Sequence, residues 1–361
     1  LLSKVWKTLR QLPSQISRGT QTRNAQEKLD TQNLHHALTF WKRYTELKHA
    51  KPSTSLETLT SADFDRLLDT GSYSKPYSVL REENMHVLDY QIFQIFDEVR
   101  KMGGMNPYPK PQYRDGSGII KKRAASLTST SETEAYLNAN VPVSDVELFN
   151  PGALIRHPQG FDLQVRKSMI DHPESGYGVF VVGEEPILPG TVVAFYPGTI
   201  YFPNNLAEEV IRENEYMISR YDDTVVDGRS WDRKNEIATR DSHQLEHIGI
   251  KTASLDRFRN PFGIGNYVNH PAPGQEPNVM AYSFDFPMEF PEDLRPFIPN
   301  EYHKPPTGLF KRSNVIMHSV LLVARRKILK EEILLNYRFN PSNPYPAWYT
   351  QPDEEEAVRR W

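Results

Sequence analysis

Apolar residues in this chain change their repeat once, and that change bounds the folds open to it. Up to about residue 102 they recur at helical spacing. Leu34, Leu38, Trp41, Tyr44 and Leu47 predict one amphipathic helix over 34–47. Met85, Leu88, Ile92, Ile95, Phe96, Val99 and Met102 predict another, stopped by Gly103 and Gly104. Between them Ser61 offers an N-cap for a short helix carrying Phe64, Leu67 and Leu68. Beyond about residue 150 the pattern turns into short runs rich in Val, Ile, Leu and Tyr, bounded by Gly, Pro or Asp-Gly. These predict strands over Gly178–Val182, Thr191–Tyr196, Met217–Tyr221, Thr224–Val226, Ser319–Ala324 and Ile333–Tyr337. A helical N-terminal part is followed by a β-rich one.

Composition removes several kinds of chemistry. The 361 residues include no cysteine, which excludes disulfides, a thiolate nucleophile, iron–sulfur ligation and Cys-based zinc modules. The formal net charge is -3, so nucleic acid could be bound only by a local patch. No apolar run approaches the ~20 residues needed to span a bilayer. His243 and His247 have the spacing of helical metal ligands, but no Glu follows His243 and no third ligand is evident, so a solvated pair is the better reading. Asp353 to Glu356 reads as a solvated acidic tail.

Two stretches stand apart. Lys4, Lys7, Arg10, Arg18 and Arg23 all precede the first acid, Glu27, while Leu2, Val5, Trp6, Leu9, Leu12 and Ile16 recur at helical spacing, interrupted by Pro13. This start has the composition of a mitochondrial transit peptide. It equally fits a basic arm that grips a protein or ribonucleoprotein partner. Residues 103–150, with Pro107, Pro109, Pro111 and the triplet Lys121-Lys122-Arg123, read as an extended linker or wrapping segment.

Four segments of the β-rich part carry what chemistry the sequence offers. Ser175-Gly176-Tyr177-Gly178-Val179-Phe180 is a Gly-x-Gly opening a strand, where backbone can approach a ligand closely. Pro189 to Gly198 is a turn, a strand and a turn. Gly265-Asn266-Tyr267-Val268-Asn269-His270-Pro271 sets two adjacent polar side chains after an apolar residue. Ala324 to Tyr337 reads as a strand, a charged turn and a second strand. Each alone is an ordinary turn or strand.

Taken in order, the segments resemble the SET domain of protein-lysine methyltransferases. Gly176 to Phe180 is similar to its opening Gly-x-Gly and Val193 to Gly198 to its Y-x-G strand. Met217 to Gly228 is similar to a strand pair ending in Asp227, Gly265 to His270 to the R-F-x-N-H-S segment, and Glu331 to Tyr337 to the E-E-L-x-x-x-Y ending. Within that family, Tyr196-Pro197-Gly198-Thr199, Asn260 to Asn269 and Leu335-Asn336-Tyr337 most resemble the SET domain-containing protein nine type. The resemblance spans roughly residues 175–339. It implies an α+β, β-rich SET (β-clip) fold with a helical N-terminal extension. It also implies S-adenosylmethionine as cofactor and a protein lysine as substrate. Gly176, Tyr177, Gly178, Asn269 and His270 would hold the cofactor, Tyr337 would supply the catalytic hydroxyl, and Tyr196 would line the lysine channel. The last strand would thread beneath the Asn-His segment and bring Tyr337 to it. A free lysine has a pKa near ~10.4, so a desolvated channel beside a cation must favour the neutral amine.

The chain departs from the family pattern at Asn266 (usually Arg), Pro271 (usually Ser) and Lys330 (usually Gly), and in lacking Cys-rich zinc segments. The implied organisation is an arm and helical extension over 1–102, a linker over 103–150, the SET domain over 151–340 and a tail over 341–361. A Pro-rich insertion at 285–314 is expected to be anchored by Phe284, Phe286, Phe290 and Phe297. In the tail, Tyr345, Trp348, Tyr349 and Trp361 either close the donor pocket or, preferably, pack on the N-terminal helices. The rival function is a catalytically silent SET-fold subunit of a large, mitochondrial or ribosomal assembly, its pocket filled by side chains such as Tyr177 or Tyr267. The arm favours a mitochondrial location over a cytoplasmic or nuclear one, and nothing points to secretion.

Overall fold

A computed structural model describes residues 12–60, 63, 66, 67, 75–101, 154–173, 175–206, 214, 216–229, 260–304, 314–339, 341, 342 and 344–360, with side chains from residue 25 onward. The start of the basic arm, the linker over 103–150 and the His243/His247 pair lie outside these residues. So do Ser61, Phe64 and Leu68 of the expected short helix.

Helix α1 runs over Leu12–Ala50 and α2 over Tyr77–Lys101. The expected 34–47 helix is thus only the apolar end of a much longer one. Pro13 does not interrupt it, because a proline in the first turn has no intrahelical amide to lose. Between residues 14 and 33 there is no proline and Gly19 is the single glycine, so the backbone ladder continues without an apolar stripe. A third helix, α3, spans Glu354–Arg360. This corrects the reading of Asp353–Glu356 as a solvated tail. The acids form the start of a helix, where negative charge is favoured. The Glu356 amide donates to Asp353 Oδ1 at 2.7 Å, and Glu356 and Ala357 are buried.

The β-rich part contains β1 (Leu154–Arg156), β2 (Asp162–Lys167), β3 (Tyr177–Val182), β4 (Val192–Phe195) and β5 (Gly198–Tyr201). It continues with β6 (Met217–Ser219), β7 (Val225–Asp227), β8 (Val279–Pro287), β9 (Asn300–Tyr302) and β10 (Val315–Ala324). These make three small sheets, ordered β1-β2-β3, β4-β10-β8 and β6-β7-β5-β9. Pairing is antiparallel except between β5 and β9. The protein is therefore α+β, several small sheets beside a helical N-terminal region.

Three strand expectations need correction. Met217–Tyr221 stops at Ser219, because Arg220 to Thr224 form the hairpin turn: the Arg220 amide donates to the Thr224 carbonyl, and Asp223 takes a φ of 66°. Ser319–Ala324 is the second half of the longer β10, the central strand of its sheet. Ile333–Tyr337 forms no strand. Leu334 and Leu335 make single bridges to Asn269 and Val279, and Glu332 makes one to Phe180, so the segment passes between sheets instead of extending one.

One core joins the two parts. Phe96 of α2 packs edge-on against Phe195, Phe286 and Phe290, at centroid distances of 5.6, 5.6 and 5.1 Å. Phe284 and Phe297 are buried with them, so all four expected phenylalanines are in the core: Phe284 and Phe286 on β8, and Phe290 and Phe297 in the chain after it. Gln91, like Asn84, is a polar residue on the buried face of α2. Its Nε2 donates to the Gly190 carbonyl and its Oε1 accepts from the Val192 amide, both at 2.9 Å. These bonds satisfy backbone at the free edge of β4. His157 also donates through Nε2 to the Val192 carbonyl at 3.0 Å. Burial pushes its imidazole down to about 3, so it is neutral.

Candidate active site

Strand β3 begins with a turn that only a flexible residue makes easily. Gly176 sits at a φ of 53°, in the left-handed region. Gly178 has a different reason to be glycine. A Cβ placed there would lie 2.1 Å from Oε1 of Glu332. That carboxylate is buried and accepts from the Ser168 hydroxyl at 2.8 Å, the Met169 amide at 3.0 Å and Asn269 Nδ2 at 3.0 Å. Asn269 Nδ2 also donates to the Tyr177 carbonyl at 3.0 Å. Glu332 and Asn269 thus bind the Gly-x-Gly strand to the Asn-His segment.

Gly178→Ala is expected to cost about 1–3 kcal/mol by chemical denaturation. The carboxylate is the tip of a flexible side chain and swings aside, so the loss is that of its hydrogen bonds. The cost should fall below half in a Glu332→Ala background, and equal costs in both backgrounds would exclude the close approach as its cause.

His270 is buried, and both ring nitrogens are used. Nε2 donates to the Thr350 carbonyl at 2.9 Å, and Nδ1 accepts from the Tyr337 amide at 3.3 Å. Burial lowers its pKa, opposed by the Thr350 carbonyl. Its ring stacks on Tyr349 at 4.3 Å and faces Trp348 edge-on at 6.1 Å. The tail therefore covers the Asn-His segment with aromatic rings, while α3 packs against α1.

Tyr337 reaches the same place. The Leu335 amide donates to the Asn269 carbonyl at 2.9 Å, and the Tyr337 hydroxyl donates to the Val268 carbonyl at 3.1 Å. The expected threading of this segment against Asn-His is observed, without the expected strand. Tyr337 is 38% exposed.

Tyr196 is buried at the end of β4, its hydroxyl donating to the Tyr216 carbonyl at 2.9 Å. Burial raises its pKa far above the ordinary value, with Tyr337 and Asp227 adding to the effect. It is therefore a neutral phenol in ordinary solution. Tyr177 is exposed, with its backbone carbonyl turned to Asn269.

Glu332 has no distinguishing signal in the sequence. Its neighbour Glu331 is an outward acid paired with Arg326 at 2.6 Å, and only the fold tells the two apart.

A second ionisable cluster was also hidden. Asp222, Asp285 and His318 bring ligand-type atoms within 4.8 Å of one another. The guanidinium of buried Arg220 already supplies a cation there. It bonds Asp222 through Nε at 3.2 Å and Nη2 at 3.0 Å, and Asp285 through Nη2 at 2.5 Å.

The chain resembles named proteins over part of its length. It is 28% identical over 202 residues to SET domain-containing protein 9 of Pongo abelii, a match covering 52% of this chain and 68% of that protein. The Homo sapiens protein of the same name is 28% identical over 197 residues, covering 52% of this chain and 62% of its own length. These matches support a SET-domain family. No protein-family model matches the chain. A SET-domain reading also explains Lys330, which stands where the family pattern has Gly. Its φ is 51°, the left-handed conformation that glycine adopts most easily, and its Nζ pairs with Glu184 at 2.6 Å. Among the described residues, no helix is long and apolar enough to cross a membrane.

Proposed function

We propose that the chain transfers the methyl group of S-adenosylmethionine to the side-chain amine of a lysine in a protein substrate. The observation that carries this reading is the meeting of Gly176–Gly178, Asn269–His270 and Tyr337 through direct hydrogen bonds. The donor set suits a sulfonium cofactor. Glu332 places a carboxyl group behind Gly178, held by neutral donors among the described residues, beside the strand a cationic ligand would meet. Gly176, Tyr177, Gly178 and Asn269 would hold the cofactor, with His270 fixing Asn269 and Tyr337 in register. Bound there, S-adenosylmethionine supplies an electrophilic methyl group.

The chain's own residues then have to orient an amine. Because the Tyr337 hydroxyl gives its proton to the Val268 carbonyl, it would meet the lysine amine as an acceptor of an N–H. Tyr196, held as a neutral phenol, lines the approach and takes no proton. Deprotonation of the lysine falls to solvent before the amine enters.

Calorimetric titration of the full chain with S-adenosylmethionine, and separately with its demethylated product, tests the reading. Micromolar binding is expected, weakened at least about tenfold in a folded Asn269→Ala variant. No binding by the folded native chain would favour a silent SET-fold subunit. The aromatic cover of Tyr349 and Trp348 over His270 is the observation that supports that alternative.

A further inference from the structure

The residue after Tyr337 is tied to the far end of the chain. Arg338 donates to both oxygens of Asp30, from Nη1 to Oδ2 at 2.7 Å and from Nη2 to Oδ1 at 2.9 Å. Asp30 lies on α1, outside the region that resembles a SET domain, and is fully buried. Tyr221, in the turn after β6, donates its hydroxyl to the same carboxylate at 2.6 Å. The next residue of α1 is also fixed. Thr31 shares a hydroxyl hydrogen bond with Tyr282 of β8 at 3.1 Å, and its carbonyl accepts from Asn84 of α2 at 2.9 Å. Asp30 is thus a post held from several sides.

Arg338 needs such a post. Its φ is 54°, which an L side chain adopts at a cost of roughly 1–2 kcal/mol. Its amide donates to Asn336 Oδ1 at 2.8 Å, and that oxygen also accepts from the Tyr349 hydroxyl at 3.0 Å. The chain therefore turns sharply straight after Tyr337. The Tyr337 ring is fixed on one side by Val268 and His270 and on the other by an arginine anchored to α1. A buried ion pair adds little net stability compared with apolar packing, but it fixes register well.

We propose that Asp30 is a positioning residue for Tyr337, acting through Arg338, so that the N-terminal helix sets the aim of the hydroxyl. The proposal rests on the methyltransferase reading for its catalytic consequence, but its geometric content can be tested without it.

The test uses the full chain with Tyr337 replaced by 3-fluorotyrosine, and in a second sample Tyr302 as an internal control. Asp30→Asn alone leaves Arg338 buried without its charge partner and can fail to fold. The Asp30→Asn/Arg338→Gln pair removes both charges and keeps hydrogen-bonding groups of similar shape. In that pair, at a temperature where circular dichroism shows a native fold, the fluorine resonance at 337 should shift and broaden while that at 302 stays in place. Transfer of tritiated methyl to a lysine-peptide library should fall about tenfold or more, while S-adenosylmethionine affinity changes less than about twofold. Asp30→Glu with Arg338 intact should recover part of the transfer. An unchanged resonance at 337 in the folded pair overturns the proposal, whether or not the chain methylates anything. A moved resonance in a chain whose native form transfers no methyl supports the positional coupling and defeats the methyltransferase reading instead.

Discussion

Tyr337→Phe is expected to fold like the native chain and to lose methyl transfer by about a hundredfold or more. The ring keeps its contacts with His270 at 5.4 Å and Trp348 at 6.1 Å, because phenylalanine preserves their shape. The hydrogen bond to the Val268 carbonyl disappears, a bond on a partly exposed side chain worth about 1 kcal/mol or less of stability. The loss in rate is larger because the hydroxyl is the group placed to orient the incoming amine. Deleting one preorganised polar group at a reacting centre typically removes a factor of about 100–1000. Cofactor affinity should hardly change, since Asn269 and the Gly176–Gly178 backbone are untouched. Methyl incorporation into lysine peptides, measured beside calorimetric binding, separates the two effects. Undiminished turnover would remove this hydroxyl from the chemistry.

Arg220→Met should destabilise the fold by about 3–5 kcal/mol, the usual consequence of breaking a buried charge cluster from one side. The guanidinium side chain is only 2% exposed. Besides its carboxylate partners, its Nη1 donates to the Phe284 carbonyl at 2.9 Å and to the Ser319 carbonyl, joining the turn after β6 to β8 and β10. Burial alone would raise the Asp285 pKa, but Arg220 and the His318 hydrogen bond outweigh it and hold the carboxyl well below its ordinary range. Asp222 is lowered by Arg220 against the same opposing burial. Both groups have folded values below the unfolded value of 3.8. Their contribution is therefore full above about pH 4 and is lost as acid takes the solution through the lowered values. Without the cation, burial is opposed only by His318 and the Thr224 hydrogen bond, so both pKa values should rise. The variant should then lose less stability than the native chain as the pH falls below about 4. Urea unfolding at several pH values measures both effects. A loss below about 1 kcal/mol, or parallel pH profiles, would show that the guanidinium is not the keystone of the cluster.

The sequence discloses the parts of this molecule that repeat locally. The stripe of α2 is legible because each apolar residue faces one core. The polar first half of α1 carries no such stripe, so its helical state has no local signal. In β8 the alternation from Val279 to Phe286 is real but follows a Pro-Asn turn and runs into a proline-rich stretch, which hid it. The run at 333–337 looked like a strand because burial on both sides demands apolar residues whether a segment pairs or threads. Short motifs around Gly176, Asn269 and Tyr337 could be read one by one. Their connectors could not. Glu332 has an identical neighbour with the opposite fate, and Asp30 and Arg338 stand 308 positions apart with nothing in either local sequence to match them.

The two bonds from Gln91 bear on where this protein can be divided. A β-strand with unsatisfied amides and carbonyls along one side is a template on which another chain can crystallise its own backbone. In β4 that side is closed from the helical part by one glutamine. A fragment starting at the first β-strand would leave the Val192 amide and the Gly190 carbonyl without Gln91 and Phe195 without Phe96, and would be prone to stick to its own copies. The helices act as the selvedge of the sheet, and a piece cut without them should self-associate more than the full chain.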